Sequence, residues 1–371
     1  MNKFYKLPFY AILPSKACGG DIMSGATLEA YLASCTARGD DLTRDVAAVI
    51  QRLAKAALDI RKLVGQGALG TAFNGTHGSS NTDGDLQKDL DILCDDQFLS
   101  SLQGAPVACY ASEELENPVL LDPAARLAVA IDPLDGSSNI DNNVSIGTIF
   151  SVLPAAKGPD VDPSQSFLQP GNRQLAAGFF IYGPQTALVL SLGKGTEIFV
   201  FSSRLGCFVE ACKSASIPER AHEFAINMSN YRHWEEAIRL YVDDCLAGSE
   251  GPRERDFNMR WIASLVAETY RILIRGGIFL YPADGRKGYS QGRLRLVYEA
   301  NPIAFIIENA GGAATTSIDR ILDLVPENLH QRVPLVFGSR REVARITRYH
   351  VDPNMIGERA PLFGKRGLFR A

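Results

Sequence analysis

Between about Arg173 and Cys212, four apolar segments follow one another across short turns carrying Gly or Pro: QLAAGFFIYG, TALVLSLG, TEIFVFSS and GCFVEAC. Their spacing predicts an antiparallel meander. The flanking sequence is of another kind. From Asp40 to Val64, an aspartate cap precedes Val46, Ile50, Leu53, Ala57, Ile60 and Val64 at helical spacing, which predicts a long amphipathic helix. Further helices are expected at about Leu86–Leu102, around His233–Leu246, at Met259–Arg275 and in PIAFIIENA, closed by Gly311-Gly312, with one more at the end. RLAVAID, SIGTIFSVL, GIFLYPA, RLRLVYE and PLVFGS read as strands. Helices alternating with mixed sheets predict an α/β fold, a layered αβαβα sandwich with two mixed sheets.

Composition narrows the function. Of 371 residues, 46% are hydrophobic and 22% charged, enough for two domains or one two-lobed unit. The expected organisation is an extension at 1–22, a first region at 23–212, a second at 213–350 and a loose tail at 351–371. The first 20 residues contain no proper apolar core of a signal peptide, because Pro8, Pro14 and Lys16 interrupt it. A net charge of −4 offers no basic surplus for nucleic acid or an anionic membrane, and no run reaches the length of a membrane span. Seven scattered cysteines without a CxxC pair suit a reducing compartment, with the cytoplasm as the default. Residues 65–85, GQGALGTAFNGTHGSSNTDGD, are poor in apolar side chains and too long for a simple connection, so a mobile loop closing as a lid is expected there.

AVAIDPLDGSSNID, residues 128–141, runs an apolar strand into two aspartates three positions apart. Alone, such a motif is as readily a plain turn. It has company: Asp85 and Asp91, the pair Glu113-Glu114 after PVACYAS, and Glu299 after RLRLVY. Carboxylates gathered at strand ends repel one another unless cations lie between them. Their hard oxygens imply Mg²⁺, with Mn²⁺ as the alternative, and no His/Cys cluster points to zinc. Asp132, the Leu134 carbonyl and Asp135 are placed to address one ion. Gly136, Ser137 and Ser138 would follow as a nest of N–H groups and hydroxyls for an anion. Metal on one side and N–H groups on the other make a phosphate site.

With these residues in view, the sequence resembles the class I fructose-1,6-bisphosphatases, within the lithium-sensitive, metal-dependent sugar phosphatases. The resemblance spans about residues 24–350, through GDLQKDLDIL, SEE, AIDPLDGSSNIDNNVSIGTIF, GGIFLYPAD, LRLVYEANPIAF, GGAATT and HQRVPLVFGS in order. It implies Mg²⁺-dependent hydrolysis of the 1-phosphate of a sugar bisphosphate by a homotetramer. Glu113, Asp132, Asp135, Glu299 and the Leu134 carbonyl would bind metal, and Asp85 would serve a further metal position. Asp91 and Glu114 would activate water, and Asp135, Gly136, Ser137 and Ser138 would surround the 1-phosphate. Asn227, Tyr281 and Arg293 would contact the far phosphate or the sugar ring, and Arg260 would reach a neighbouring subunit's site.

The sequence also departs from the family pattern. Arg293 stands where lysine is usual, Trp261 where tyrosine is usual, and NMSNYRHW leaves open whether Asn230 or Tyr231 replaces a tyrosine. Sedoheptulose 1,7-bisphosphate is the rival substrate, and a non-catalytic sugar-phosphate sensor the rival class. The complete carboxylate set argues against the sensor. The family's inhibitor AMP is expected to act weakly or not at all. Its phosphate would meet Asp40 and Asp41 in RGDDLT, and Leu127 and Pro154 replace side chains that donate to it. Five dispersed histidines, His77, His222, His233, His330 and His350, suggest no site.

Overall fold

The computed structural model describes residues 25–66, 83–158 and 161–352, with side chains in the third helix taken from Leu90 onward. The expected extension at 1–22, most of the expected lid (67–82) and the tail from 353 lie outside the described residues.

The first three helices among the described residues are α1 (Leu28–Thr36), α2 (Asp41–Val64) and α3 (Asp83–Leu102). Asp40 caps α2 as expected, its Oδ1 accepting from the backbone N–H and the hydroxyl of Thr43, each at 2.9 Å. Val46, Ile50, Leu53, Ala57 and Ile60 are buried on its inner face, while Val64 is half-buried.

An eight-stranded sheet follows: β1 (Val107–Ser112), β2 (Val119–Leu120), β3 (Leu127–Asp135), β4 (Ile146–Pro154), β5 (Ala176–Tyr182), β6 (Thr186–Ser191), β7 (Glu197–Ser202) and β8 (Cys207–Cys212). Its order is β2-β1-β3-β4-β5-β6-β7-β8, antiparallel except for the β1–β3 pair. The meander is thus present. The remaining strands are β9 (Glu223–Ala225), β10 (Asn258–Met259), β11 (Ile278–Tyr281), β12 (Leu294–Arg295), β13 (Ala313–Thr315), β14 (Arg332–Val333) and β15 (Leu335–Gly338). Five of them form a mixed sheet in the order β10-β9-β11-β15-β13, and β12 pairs with β14. Four further helices are α4 (Glu236–Leu246), α5 (Leu265–Arg275), α6 (Asn301–Asn309) and α7 (Arg340–Val351).

Period-two alternation sorts these elements into layers. Phe180, Leu188 and Phe199 turn to α2 and α3, packing with Ile50, Leu53 and Phe98. Their neighbours Phe179, Val189 and Ile198 turn the other way, onto Val266 of α5 and Ile303 of α6, and beyond these lie Phe279 and Phe337 of the second sheet. That sheet's opposite face, Ile278, Leu280 and Val336, packs on Tyr241 of α4 and Ile346 of α7. The result is the αβαβα sandwich.

Two expected elements differ. The helix expected over Met259–Arg275 is a short strand at Asn258–Met259 followed by a helix that begins only at Leu265, where Ser264 supplies the cap after Ala263 at φ +61°. The strand expected over RLRLVYE ends at Arg295, and Leu296–Ala300 form a π-helical turn leading into α6. Leu296, Val297 and Tyr298 are all buried, and an apolar run buried on every side carries no periodicity to separate strand from helix. Among the described residues, Cys35, Cys94, Cys109, Cys207 and Cys245 are free. No described helix is long and apolar enough to cross a membrane.

Candidate active site

Residues three apart on a regular strand point to opposite faces. Asp132 and Asp135 escape that rule because β3 is irregular between them: Asp132 pairs with Ile149 and Asp135 with Gly147, so three steps on β3 match two on β4. Pro133 lies at the bulge, where its missing N–H costs no ladder bond. Its carbonyl accepts from Thr148 Oγ1 at 2.8 Å, and the Leu134 N–H donates to Asp132 Oδ1 at 3.1 Å. Gly147 matters for its size. A Cβ there would lie 2.2 Å from the Phe180 carbonyl oxygen and 2.7 Å from Val266 Cγ2. Without that Cβ, α5 approaches the sheet closely enough for the Val266 N–H to donate to Asp135 Oδ2 at 3.0 Å.

Glu113 follows the end of β1, its N–H donating to the Ile131 carbonyl at 3.0 Å, and Glu299 comes from the π-helical turn. One carboxylate oxygen each from Glu113, Asp132 and Glu299 lie within 4.8 Å of one another. Burial, then the charge of Glu113, drives the carboxyls of Asp132 and Glu299 well above the ordinary range. Asp135 is pushed up to about 7, chiefly by burial, against the hydrogen bond from Val266. Carboxylate oxygens that disfavour one another's charge, with no histidine or thiol among them, could hold a hard divalent cation.

Arg295 supplies the cluster's protein cation. Its guanidinium pairs with Glu113, and its backbone N–H donates to Glu299 Oε2 at 2.5 Å. The stretch LRLVYE does not single this residue out, since nothing local tells a solvated arginine from one facing a carboxylate 182 positions away.

Asp91 on α3 is half-buried, and its carboxyl is raised to about 7, mainly by burial and next by the charge of Glu114, against a hydrogen bond with Ser137. Glu114 is exposed, its N–H donating to Ser112 Oγ at 3.2 Å. Gly136, at φ +78°, turns the chain into a short 3-10 segment, Ser137–Asn139, anchored by Asn139 Nδ2 donating to the Ala263 carbonyl at 2.7 Å. Ser138 is exposed. Asp85 stands in the first turn of α3, and its side chain lies outside the described residues.

The residues expected at the far phosphate gather at the end of β11. A cleft there is lined by Asn227, Asn230, Tyr281, Asp284, Arg286 and Arg293. Tyr281 continues a parallel stack, with Trp261 on Phe279 and Tyr281 at 8° and 14°. Burial raises the pKa of the Tyr281 phenol, against the charge of Arg293 and with a smaller contribution from Glu299. Of the two residues left open in the sequence, Asn230 lines the cleft, whereas Tyr231 donates to Asp243 at 2.9 Å and packs on Trp234. Arg260 lies outside the cleft lining, its side chain 46% exposed and 3.9 Å from Glu223. A separate cavity of about 860 Å³, bordered by Arg61, Asn143 and Tyr182, includes none of the clustered carboxylates.

At the junction of α1 and α2, Asp40 spends its carboxylate on the helix start, and its pKa is lowered by the hydrogen bonds from Thr43. Asp41 pairs with Arg44. Arg126 is engaged by Asp45 through two hydrogen bonds, at 2.6 and 3.1 Å.

Two family models match the chain: fructose-1-6-bisphosphatase, N-terminal domain, over residues 26–213, and the C-terminal domain over residues 217–351. The chain is 97% identical over 349 residues to a fructose-1,6-bisphosphatase class 1 of Rhizobium meliloti (strain 1021), covering 94% of this chain and all of that one. A protein of the same description from Rhodopseudomonas palustris (strain BisB18) is 55% identical over 331 residues, or 89% of this chain and 95% of that one. Among solved structures, the holo form of Leishmania major fructose-1,6-bisphosphatase superposes with a TM-score of 0.78 at 32% identity, covering 88% of this chain and 99% of that one.

The charge balance of the cluster generates a stability prediction. A carboxyl whose folded pKa is raised binds its proton more tightly in the folded state. The stability it contributes is full below the unfolded value of about 4 and is lost as pH rises through the folded one, about 7 for Asp135. Asp132→Asn should therefore stabilise the chelated protein at pH 7 by on the order of 1–3 kcal/mol, while abolishing most of the stabilisation by added divalent cation. Urea unfolding with and without chelator checks both; a destabilised chelated variant would mean that the hydrogen bonding of the Asp132 carboxylate outweighs its repulsion by the other acids.

Proposed function

The chain belongs to the class 1 fructose-1,6-bisphosphatase family, and we propose from its geometry how it hydrolyses the 1-phosphate of D-fructose 1,6-bisphosphate to fructose 6-phosphate and phosphate. The observation that supports the reading is the Asp91–Glu114 pair electrostatically coupled to the carboxylate cluster through Glu113, with a cleft at the end of β11 that holds Asn227, Tyr281 and Arg293. The family is metal-dependent. Hard oxygens favour Mg²⁺, with Mn²⁺ as the alternative, and Glu113, Asp132, Asp135, Glu299 and the Leu134 carbonyl would hold it, with Asp85 serving a further metal position. When bound, such a cation acidifies water and neutralises phosphoryl oxygens.

The protein's own groups do the rest. Asp91, with Glu114 raising its proton affinity, accepts the proton of the attacking water as a coupled pair. Ser137 bonds to Asp91 and stands at the turn where backbone N–H groups would face the 1-phosphate. Val266 and Arg295 fix Asp135 and Glu113 against rotation. Asn227, Tyr281 and Arg293 would hold the other phosphate, while exposed Arg260 would serve a neighbouring copy in a homotetramer in the cytoplasm. The alternative of a sensor without catalysis has no need of the Asp91–Glu114 pair.

Asp91→Asn should lower kcat about 10²- to 10⁴-fold with KM changed no more than a few-fold, because the base acts mainly in the transition state. Phosphate release in Mg²⁺ checks this, and a loss confined to KM would show that Asp91 only binds.

AMP should inhibit weakly. Asp40 already satisfies the N–H at the start of α2, Arg126 is committed to Asp45, and Leu127 and Pro154 offer no side-chain donor. Two missing charge-assisted bonds weaken an anion's binding about a hundredfold or more. Titrating AMP into the same assay decides it, and half-inhibition at low micromolar AMP would overturn the reading.

A further inference from the structure

We propose that Arg286, held by Asp284 and stacked on Tyr289, is a second guanidinium of the distal phosphate subsite and sets how strongly the enzyme prefers a bisphosphate to the corresponding 1-monoester. This rests on the bisphosphatase reading and adds a residue to which the resemblance assigns no role.

Arg286 lies in the turn that follows β11, and its position is over-determined. Asp284, only 7% exposed, receives the Arg286 backbone N–H on Oδ1 at 3.0 Å, Nε on the same oxygen at 3.0 Å, and Nη2 on Oδ2 at 2.5 Å. The turn is closed by the Asp284 N–H donating to the Tyr289 carbonyl at 3.2 Å and the Tyr289 N–H donating to the Arg286 carbonyl at 3.0 Å. The guanidinium stands 4.4 Å from the Tyr289 ring centroid. Such a two-sided hold fixes a long side chain before any ligand arrives, which reduces the entropy lost on binding.

The same ring carries Arg293 at 4.8 Å, so two guanidinium groups converge on one aromatic side chain. Asp284 can balance only one of them. The cleft's other polar walls carry no charge: the Tyr281 phenol, the Asn230 amide, and the Asn227 amide, whose Oδ1 is already occupied by Ser229 N and Oγ at 3.2 and 2.6 Å. Both Asp284 oxygens are engaged by Arg286, so among the described residues of the lining no free carboxylate opposes an anion. One uncompensated positive charge, a neutral phenol and an amide NH₂ suit a phosphate dianion. Arg286 bonds to Asp284 through Nε and Nη2, which leaves Nη1 as the atom for the ligand. Asp284 is thus a positioning residue, acting through Arg286.

Phosphate release from fructose 1,6-bisphosphate and from fructose 1-phosphate, in Mg²⁺, separates the roles. Arg286→Gln should raise KM for the bisphosphate about tenfold or more with kcat within threefold, and change kcat/KM for the monoester by less than about twofold. Arg286→Lys, which keeps the charge but loses the fork, should recover part of the affinity. Asp284→Asn should give a smaller rise in KM, and the double variant should be no worse than Arg286→Gln alone, as expected for residues acting in series. Equal losses on the two esters, or an unchanged KM for the bisphosphate, would show that Arg286 merely braces the turn and would overturn the proposal. If the wild-type protein releases no phosphate from the bisphosphate, the bisphosphatase reading fails instead.

Discussion

Mutual repulsion among clustered carboxylates is the constraint around which the candidate site is arranged. Glu113, Asp132 and Glu299 come from three separate elements, the end of β1, the bulged end of β3 and the π-helical turn before α6, yet present oxygens within 4.8 Å of one another. Nothing in their mutual interaction favours that approach. The hydrophobic layers on either side of the first sheet hold the three elements together, and the folded state thereby stores an unfavourable charge arrangement that a bound cation would relieve. Local devices keep the carboxylates aimed: Arg295 on Glu113, Leu134 N–H on Asp132 and Val266 N–H on Asp135.

That arrangement explains why small residues matter here. The absence of a Cβ at Gly147 lets α5 approach β4, and the bulge at Pro133 turns two aspartates of one strand towards one place. Neither contributes a functional group. Both decide whether the groups supplied by others can converge.

Much of this is legible in the sequence. The meander, the capped α2 helix and the layered class follow from periodicity and turn residues, because apolar faces two or 3.6 residues in period have few ways to be covered. The motif Asp132–Ser138 and its distant carboxylates are legible as chemistry through an unusual concentration of acids at strand ends. What the sequence hides depends on partners remote along the chain. Arg295 looks like any arginine until Glu113 is beside it, and Glu299 reads as the end of a strand because its neighbours are buried all round. Tyr231 resembles a ligand residue, but Asp243 and Trp234 draw it aside and Asn230 lines the cleft. Likewise, the charge of Asp40 suggests repulsion of an incoming anion, whereas its principal role is to cap its own helix.

The central claim is that divalent-cation binding relieves carboxyls whose pKa the fold has raised, with Asp91 and Asp135 at about 7. Calorimetric titration of Mg²⁺ into the chelator-stripped protein, in buffers of different ionisation enthalpy, counts the protons displaced. Net proton release is expected near pH 6.5, becoming smaller as pH rises through the raised values of Asp91 and Asp135. Saturable binding with no proton release at pH 6.5 would contradict the claim, because the carboxylates would then have been charged, and tolerated, before any cation arrived.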